Sequence, residues 1–502
     1  MEFLQNLGLG LSVAFTPANL LYALTGSLVG TLVGVLPGIG PVATISILLP
    51  FTFSLPPASA LIMLAGIYYG AQYGGSTTAV LVNLPGESSS VVTAIDGYQM
   101  ARNGQAGFAL ATAALASFMA GTFATFLIAL FAPVLAEAAL KFGPADYFSL
   151  LLFGLVAAVI LAHGSVLKAL AMIFAGVLLA LMGIDVGSGT ERFTFGVPAF
   201  MDGVDFAIIA MGLFGIGDMI VNLEGKDEER TFLKRVRGLW PTLAELRSIL
   251  PAAARGTLLG SALGTLPGGG PTLASFSAYA VEKKIARDPS RFGKGAPEGV
   301  AAPEAANNAA AQTSFIPLLT LGIPGNPIMA LMLGAFMMQG LQPGAQLLTE
   351  RPELFWGLIA SMWTGNVMLL VLNLPLVGIW VKLLAAPYRM LSPAILLFCC
   401  VGAYSINRSA FDVFLLGGFG LLGYLLYRLR CEPAPLLLGF VLGKMLEENL
   451  RRALVISQGD PMVFLERPIS MTFLVFTAAL VVVLCAPMIR AGRRRVFTEE
   501  ER

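Results

Sequence analysis

The chain of 502 residues is 56% hydrophobic and 12% charged, with a mean hydropathy of +0.79, whereas a soluble domain is about a quarter charged. A soluble enzyme is thereby excluded, and at roughly 20 apolar residues per bilayer crossing the apolar stretches suffice for about ten to thirteen crossing or half-crossing helices. The 31 Lys and Arg against 30 Asp and Glu leave a net charge of +1, too little basic surface to hold nucleic acid by its phosphates.

In chain order, apolar segments are predicted at 7–36, 42–55, 58–84, 106–140, 147–163, 165–183 and 204–222. No Lys or Arg precedes Arg102, so the first segment lacks the basic region of a cleaved signal and is expected to stay in the mature protein. A polar, charge-mixed linker, residues 224–248, then divides a first membrane repeat, 1–223, from a second, 249–489. Beyond the linker, segments follow at 249–266, 271–281, 309–338, 354–385, 391–406, 411–427, 434–446 and 470–489, and a basic tail at 490–502 closes the chain. Cys399, Cys400, Cys431 and Cys485 show no CxxC spacing and read as small packing residues. A single histidine, His163, leaves no imidazole-rich metal site and is expected at a helix end.

Basic clusters in the linker, between Lys283 and Lys294, and in the tail (Arg490, Arg493, Arg494, Arg495) belong on the cytoplasmic side by the positive-inside rule. Only 33 residues, Ile249 to Val281, then leave the cytoplasm and return. At 1.5 Å per residue each arm is about 25 Å or less, which predicts a re-entrant hairpin rather than two crossings. Its tip is Pro267, Gly268, Gly269, Gly270, Pro271, and the same pattern stands 230 residues earlier as Pro37, Gly38, Ile39, Gly40, Pro41. Gly26–Pro41 and Gly256–Pro271 share nine identities in 16, glycines every fourth residue among them, where composition alone gives about one or two.

The flank after the first tip carries no charge and the flank after the second carries five basic residues. Opposite flank charge predicts an inverted-topology pair. The expected fold is therefore an all-α integral membrane protein of two inverted repeats, each with broken helices or re-entrant hairpins. A second correspondence joins Asn83, Leu84, Pro85, Gly86, Glu87, Ser88 with Gly322, Ile323, Pro324, Gly325, Asn326, Pro327, giving each half two breaks.

A half-helix that starts at a break exposes unpaired N–H groups and attracts anions, and one that stops there exposes carbonyls and attracts cations. Four such breaks at one interface predict a midplane site for a carboxylate substrate and a coupling cation. Candidate substrate-binding residues are Gly38, Gly40, Gly86, Ser88, Ser89, Gly268, Gly270, Thr272, Gly325 and Asn326; Thr44, Ser46, Ser90 and Ser275 add hydroxyls nearby, whose alternative role is to cap half-helices or bond back to the preceding turn. The ladder glycines (Gly26, Gly30, Gly34 and their mates) read as packing positions. Pro303 near a helix start puts Glu304, Asn307 and Asn308 on one face; Glu304 is either a functional carboxylate or an acid complementing the helix dipole, and Glu87 poses the same choice. Asn83, Glu304 and Asn308 are the candidates for the cation, with Asp96 and Asp218 as weaker functional acids.

The stretches GTLVGVLPGIGP (Gly30–Pro41), YYGAQYGGSTTAVLVNLPGE (Tyr68–Glu87), ERFTFGVP (Glu191–Pro198), PEGVAAPEAANNAAA (Pro297–Ala311) and IPLLTLGIPGNP (Ile316–Pro327) resemble the large permease subunit of the tripartite tricarboxylate transporters (TctA-like). The resemblance implies a secondary transporter of the bacterial inner membrane importing tricarboxylates or related organic acids. It further implies a periplasmic solute-binding protein and a small four-helix membrane subunit as partners, no cofactor, and Na⁺ or H⁺ as coupling ion. A passive organic-anion channel and an intramembrane enzyme are the competing readings; the missing GxSxG and Walker spacings and the lone histidine speak against the enzyme.

Overall fold

A computed structural model describes residues 2–36, 40–159, 165–185, 187–224, 238–266, 270–383 and 388–499, with the backbone alone for 2, 388–390 and 485–499. Both PGxGP cores, Pro37–Ile39 and Pro267–Gly269, and His163 lie outside the described residues.

In chain order the helices are α1 (Glu2–Ala14), α2 (Pro17–Val35), α3 (Pro41–Thr52), α4 (Pro57–Val82), α5 (Val91–Met100), α6 (Ala106–Ala139), α7 (Pro144–Ala158), α8 (Val166–Ala180), α9 (Phe206–Ala210) and α10 (Gly217–Glu224). They continue as α11 (Leu243–Gly264), α12 (Gly270–Ile285), α13 (Glu298–Thr313), α14 (Phe315–Leu321), α15 (Pro327–Met338), α16 (Ala345–Glu350) and α17 (Pro352–Asn373). The last are α18 (Val377–Leu383), α19 (Tyr388–Asn407), α20 (Ala410–Arg428), α21 (Pro433–Ile456), α22 (Val463–Glu466) and α23 (Pro468–Glu499). Among the described residues, five helical runs are long and apolar enough to cross a membrane and seven shorter apolar helices hold 10–17 residues each. This is a mostly helical, multi-pass membrane protein. Its departure from the all-helical expectation is a two-residue hairpin, β1 (Gly183–Ile184) with β2 (Glu191–Arg192), pairing antiparallel.

Several boundaries differ from the sequence expectation for local reasons. The segment expected at 7–36 is two helices, because Pro17 starts α2 behind the Thr16 cap, whose hydroxyl accepts from Asn19 N–H. Helix α11 starts at Leu243, six residues before the expected 249, because Thr242 and Glu245 form a capping box. Its 22 residues make about 33 Å, so the first arm of the hairpin is longer than expected and only the second, the 16 residues of α12, keeps the short length. Helix α13 begins at Glu298, so Pro303 lies inside it rather than at its start. The acid in its first turn is Glu298, and a dipole-complementing role for Glu304 is thereby removed.

The chain divides into two compact units that each draw on both sides of the linker: unit one holds Met1–Ala139 and Ala207–Tyr424, unit two Leu140–Phe206 and Leu425–Arg502. In unit one the glycine ladders do the same work in both halves. A Cβ on Gly26, Gly30 or Gly34 of α2 would fall on the backbone carbonyls of Met63, Ile67 and Ala71 of α4. One on Gly256, Gly260 or Gly264 of α11 would fall on those of Ala302, Ala306 and Ala310 of α13. All six contacts are closer than any real Cβ approaches, so the absent side chains are what let the backbones touch. Arg255 and Glu282 clamp α11 to α12 through two hydrogen bonds of 3.0 and 2.5 Å.

Unit two is built on α7, α8, α21 and α23. Gly176 and Gly439 bring the backbones of α8 and α21 together, and buried Asp146 at the start of α7 accepts from Arg467 at 2.9 and 2.5 Å and from Ser470 N–H at 3.1 Å at the start of α23. The hairpin packs its charges on the polar half of α21: Arg192 pairs with Asp185 and Glu447 at 2.8 Å each, and Arg451 with Asp185 at 3.0 Å and Glu447 at 2.9 Å. A cavity of about 690 Å³ opens beside this lattice, with Lys444 and Asp202 on its wall. Cys399, Cys400 and Cys431 are free thiols.

Candidate functional site

All four predicted breaks interrupt helices in unit one. Helix α2 stops at Val35 and α3 starts at Pro41; α11 stops at Gly264 and α12 starts at Gly270. The second pair ends in the left-handed backbone that terminates a helix, at Asn83 (φ 59) after α4 and at Gly322 (φ 69) after α14. Glu87 then caps a short 3₁₀ turn, Ser88–Ser90, and Asn326 caps α15.

Contacts bring the breaks together. Within the first half a Cβ on Gly86 would fall on the Gly34 carbonyl, and within the second a Cβ on Gly325 would reach the Leu266 carbonyl at 3.7 Å. Between the halves, Ser88 and Thr272 share a hydroxyl–hydroxyl bond of 2.8 Å and Ser275 donates to the Ser89 carbonyl at 2.8 Å.

The predicted residues divide by surroundings. Gly38 and Gly268 lie outside the described residues. Gly86 is packed against backbone, so its role is close approach, whereas Gly40, with ordinary φ −81, faces open space. Gly270 opens α12 at φ 47. Thr44 and Ser46 bond back to Gly40 and Val42 carbonyls one turn earlier, which is the local role for such hydroxyls. Asn83 is exposed and spent on ending α4, and the structure does not bring it to Glu304. Asp96 is a buried loop anchor: its Oδ1 accepts from the N–H groups of Gly293, Gly295 and Ala296, each at 2.8 Å, and its Oδ2 from the Tyr279 hydroxyl at 2.9 Å.

Glu87 and Glu304 are linked by α13. Glu87 accepts from the Ser89 hydroxyl and from Asn307 Nδ2 at 3.4 Å. Glu304, fully buried in mid-helix, accepts from Thr93, from Ser76 at 2.7 Å and from Ser117 at 3.3 Å. Asn308 Nδ2 donates to Ser117 at 2.7 Å, which turns the Ser117 proton toward the carboxylate. Glu304 has no cationic partner among the described residues.

Two buried donors stand close together at the second pair of breaks without a well-formed hydrogen bond. Asn326 uses its Oδ1 on Met329 N–H at 2.9 Å, which leaves its buried Nδ2 without a partner. The fully buried Tyr68 hydroxyl lies close to the Asn326 and Ser314 side chains but meets neither in hydrogen-bonding geometry. Asn307 Oδ1 and the Tyr69 hydroxyl are unpartnered as well. Buried polar groups are nearly always satisfied, so such a cluster has the chemistry of a site that takes up a polar ligand. Sequence reasoning passed over Tyr68, Ser76, Thr93 and Ser117; the available signal was polar side chains inside otherwise apolar helices.

A match to the Tripartite tricarboxylate transporter TctA family covers residues 20–438. The chain belongs to that family. TctA members are the large membrane subunit of tripartite tricarboxylate transporters, and this chain is a transporter subunit rather than an enzyme. It is 58% identical over 501 residues, all of both chains, to an "Uncharacterized 52.8 kDa protein in TAR-I ttuC' 3'region" of Agrobacterium vitis. It is 59% identical over 242 residues, 48% of this chain and all of the relative, to an "Uncharacterized protein in TAR-II ttuC' 3'region" of the same organism. No solved structure matches the TctA chain.

Proposed function

We propose that this TctA chain is the permease of a cation-coupled secondary transporter that imports tricarboxylates or related organic acids across the bacterial inner membrane. The observation that carries the reading is the pair of orphaned donors, Tyr68 hydroxyl and Asn326 Nδ2, at the breaks after α4 and α14. A carboxylate seated between them satisfies both and faces the N-terminus of α15. Ser88, Ser89, Thr272, Gly40 and Gly325 border the same breaks and complete the proposed substrate shell. Glu304 and Asn308 serve the coupling ion. The matched glycine ladders support two repeats of inverted topology that rock against each other.

A periplasmic solute-binding protein delivers the acid and a small membrane subunit completes the complex, as the tripartite family implies. In unit two, α23 runs into the basic tail, so the opposite end, with Asp146, Arg467 and the Gly183–Arg192 hairpin, faces the periplasm. That face is where the binding protein has access.

Uptake of labelled carboxylic acids into proteoliposomes carrying the complex, with an imposed cation gradient, tests the reading. Tyr68→Phe is expected to raise the KM about tenfold, the worth of one buried hydrogen bond to a charged group, with an unchanged unfolding temperature. Unaltered uptake by both Tyr68→Phe and Asn326→Leu removes the breaks from the substrate path. Flux that never exceeds equilibrium and ignores ionophores makes the protein a channel.

A further inference from the structure

We infer that a one-ion cavity between α4, α6, α13 and α17 binds a single dehydrated Na⁺, with Asn373 at the end of α17 as a ligand beside Glu304. The inference rests on the coupled-transport reading and assigns that coupling to one place. The cavity measures about 10 Å³ and is lined by Tyr73, Ser76, Thr77, Ser117, Glu304 and Asn373 together with apolar side chains of α6. That is the room for one water or one bare ion.

Its wall presents oxygen. Ser76 and Ser117 point their protons at Glu304, and since Ser117 also accepts from Asn308, both lone pairs of Ser76 and one of Ser117 are left for an ion. The decisive atom is Asn373 Oδ1. The Asn373 amide is 4% exposed, and its Nδ2 donates to the Leu369 carbonyl at 3.0 Å and to Thr31 at 3.4 Å. The Leu369 carbonyl, which can only accept, fixes the orientation of the amide, and the buried Oδ1 is left with no partner. An acceptor-only orphan and an unpaired carboxylate on the walls of one small cavity call for a cation.

The chemistry of the set selects the ion. Carboxylate, amide and hydroxyl oxygens, with no sulfur or imidazole, suit a hard cation. One carboxylate balances one positive charge, and Mg²⁺ sheds its water too reluctantly for so small a space. Bound Na⁺ neutralises Glu304, the one charged residue on the cavity wall.

The full-length protein is purified in detergent with choline as the only cation, and its unfolding temperature is followed as NaCl or choline chloride is added. Saturable stabilisation by Na⁺ alone is expected. Asn373→Ala and Thr77→Val are expected to raise the half-maximal Na⁺ concentration by about tenfold, the loss of one ligand. Should Asn373→Ala fail to fold, Thr77→Val and Ser117→Ala carry the measurement. Asn326→Ala is expected to keep the full Na⁺ response while uptake falls, so failure of the substrate reading and failure of the ion site give different results. A wild-type protein that responds to Na⁺ no more than to choline, or a response unmoved in Asn373→Ala, Thr77→Val and Ser117→Ala alike, overturns the assignment and leaves a water in the cavity.

Discussion

Replacing Gly260 with alanine sets two effects of known size against each other. In an exposed helix the change is worth about 1 kcal/mol in favour of the folded state. At Gly260 the added Cβ would stand 2.6 Å from the Ala306 Cα, where carbons settle at about 3.5–4.0 Å, so α11 and α13 must part by about 1 Å. Overpacking of that order costs about 1–3 kcal/mol, more than the propensity gain. Gly8→Ala, whose Cβ meets nothing within 4 Å, keeps the gain without the clash. Thermal unfolding in detergent should therefore give a lower Tm for Gly260→Ala and an equal or higher one for Gly8→Ala. Because Ala306 lies within one turn of Glu304 and Asn308, the Na⁺ response of Gly260→Ala should weaken too. A Gly260→Ala protein as stable as the wild type would refute the claim that the ladder exists to let backbones touch.

Asp96→Ala strips three backbone donors and one hydroxyl of their acceptor; with water reaching part of them the expected cost is about 2–4 kcal/mol, read as faster proteolysis within residues 286–297, and unchanged cleavage would deny the anchor. Asp185 is held well below the usual carboxylate range, first by the Ser188 hydroxyl and then by Arg451, Gly187 N–H and Arg192. A depressed folded value means that its contribution is present above the unfolded value near pH 4 and is lost as pH falls through the folded one. Hydrogen exchange in the hairpin should accelerate on acidification below about pH 4, and Asp185→Asn should abolish that acceleration. Asn326→Ala removes a helix cap worth about 1 kcal/mol along with the orphan donor, so its uptake defect should exceed its stability loss; a defect matching the stability loss assigns Asn326 to capping alone.

Much of this was legible in the sequence because backbone chemistry leaves marks there. Proline and glycine announced the breaks at Val35–Pro41 and Gly264–Gly270, and the four-residue glycine spacing announced the ladders. What stayed hidden depends on partners far away in the chain. Nothing local separates Thr44, which bonds its own preceding turn, from Thr93, which bonds Glu304 211 residues on. Asp96 read as a weaker functional candidate because a carboxylate near a membrane helix is one by default, and only the folded loop, with left-handed glycines at 293 (φ 83) and 295 (φ 106), brings it the three N–H groups it serves. Pro303 misplaced the start of α13, since a proline in the second turn of a helix reads like one at its first position. Tyr68 and Asn373 sit in apolar runs where their polarity is visible but their missing partners are not.

Glu304 and Asn307 occupy a single turn of α13, one facing the ion cavity and the other holding Glu87 beside the breaks. A helix is stiff over such a distance, so whatever fixes the azimuth of that turn for one occupant fixes it for both. If the proposed Na⁺ and carboxylate sites are both occupied, thermodynamic reciprocity requires that the factor by which the metal tightens the acid equals the factor by which the acid tightens the metal. In the proposed carrier, a large and positive factor would make half-loaded states scarce through the rigidity of one helical turn, without any moving gate.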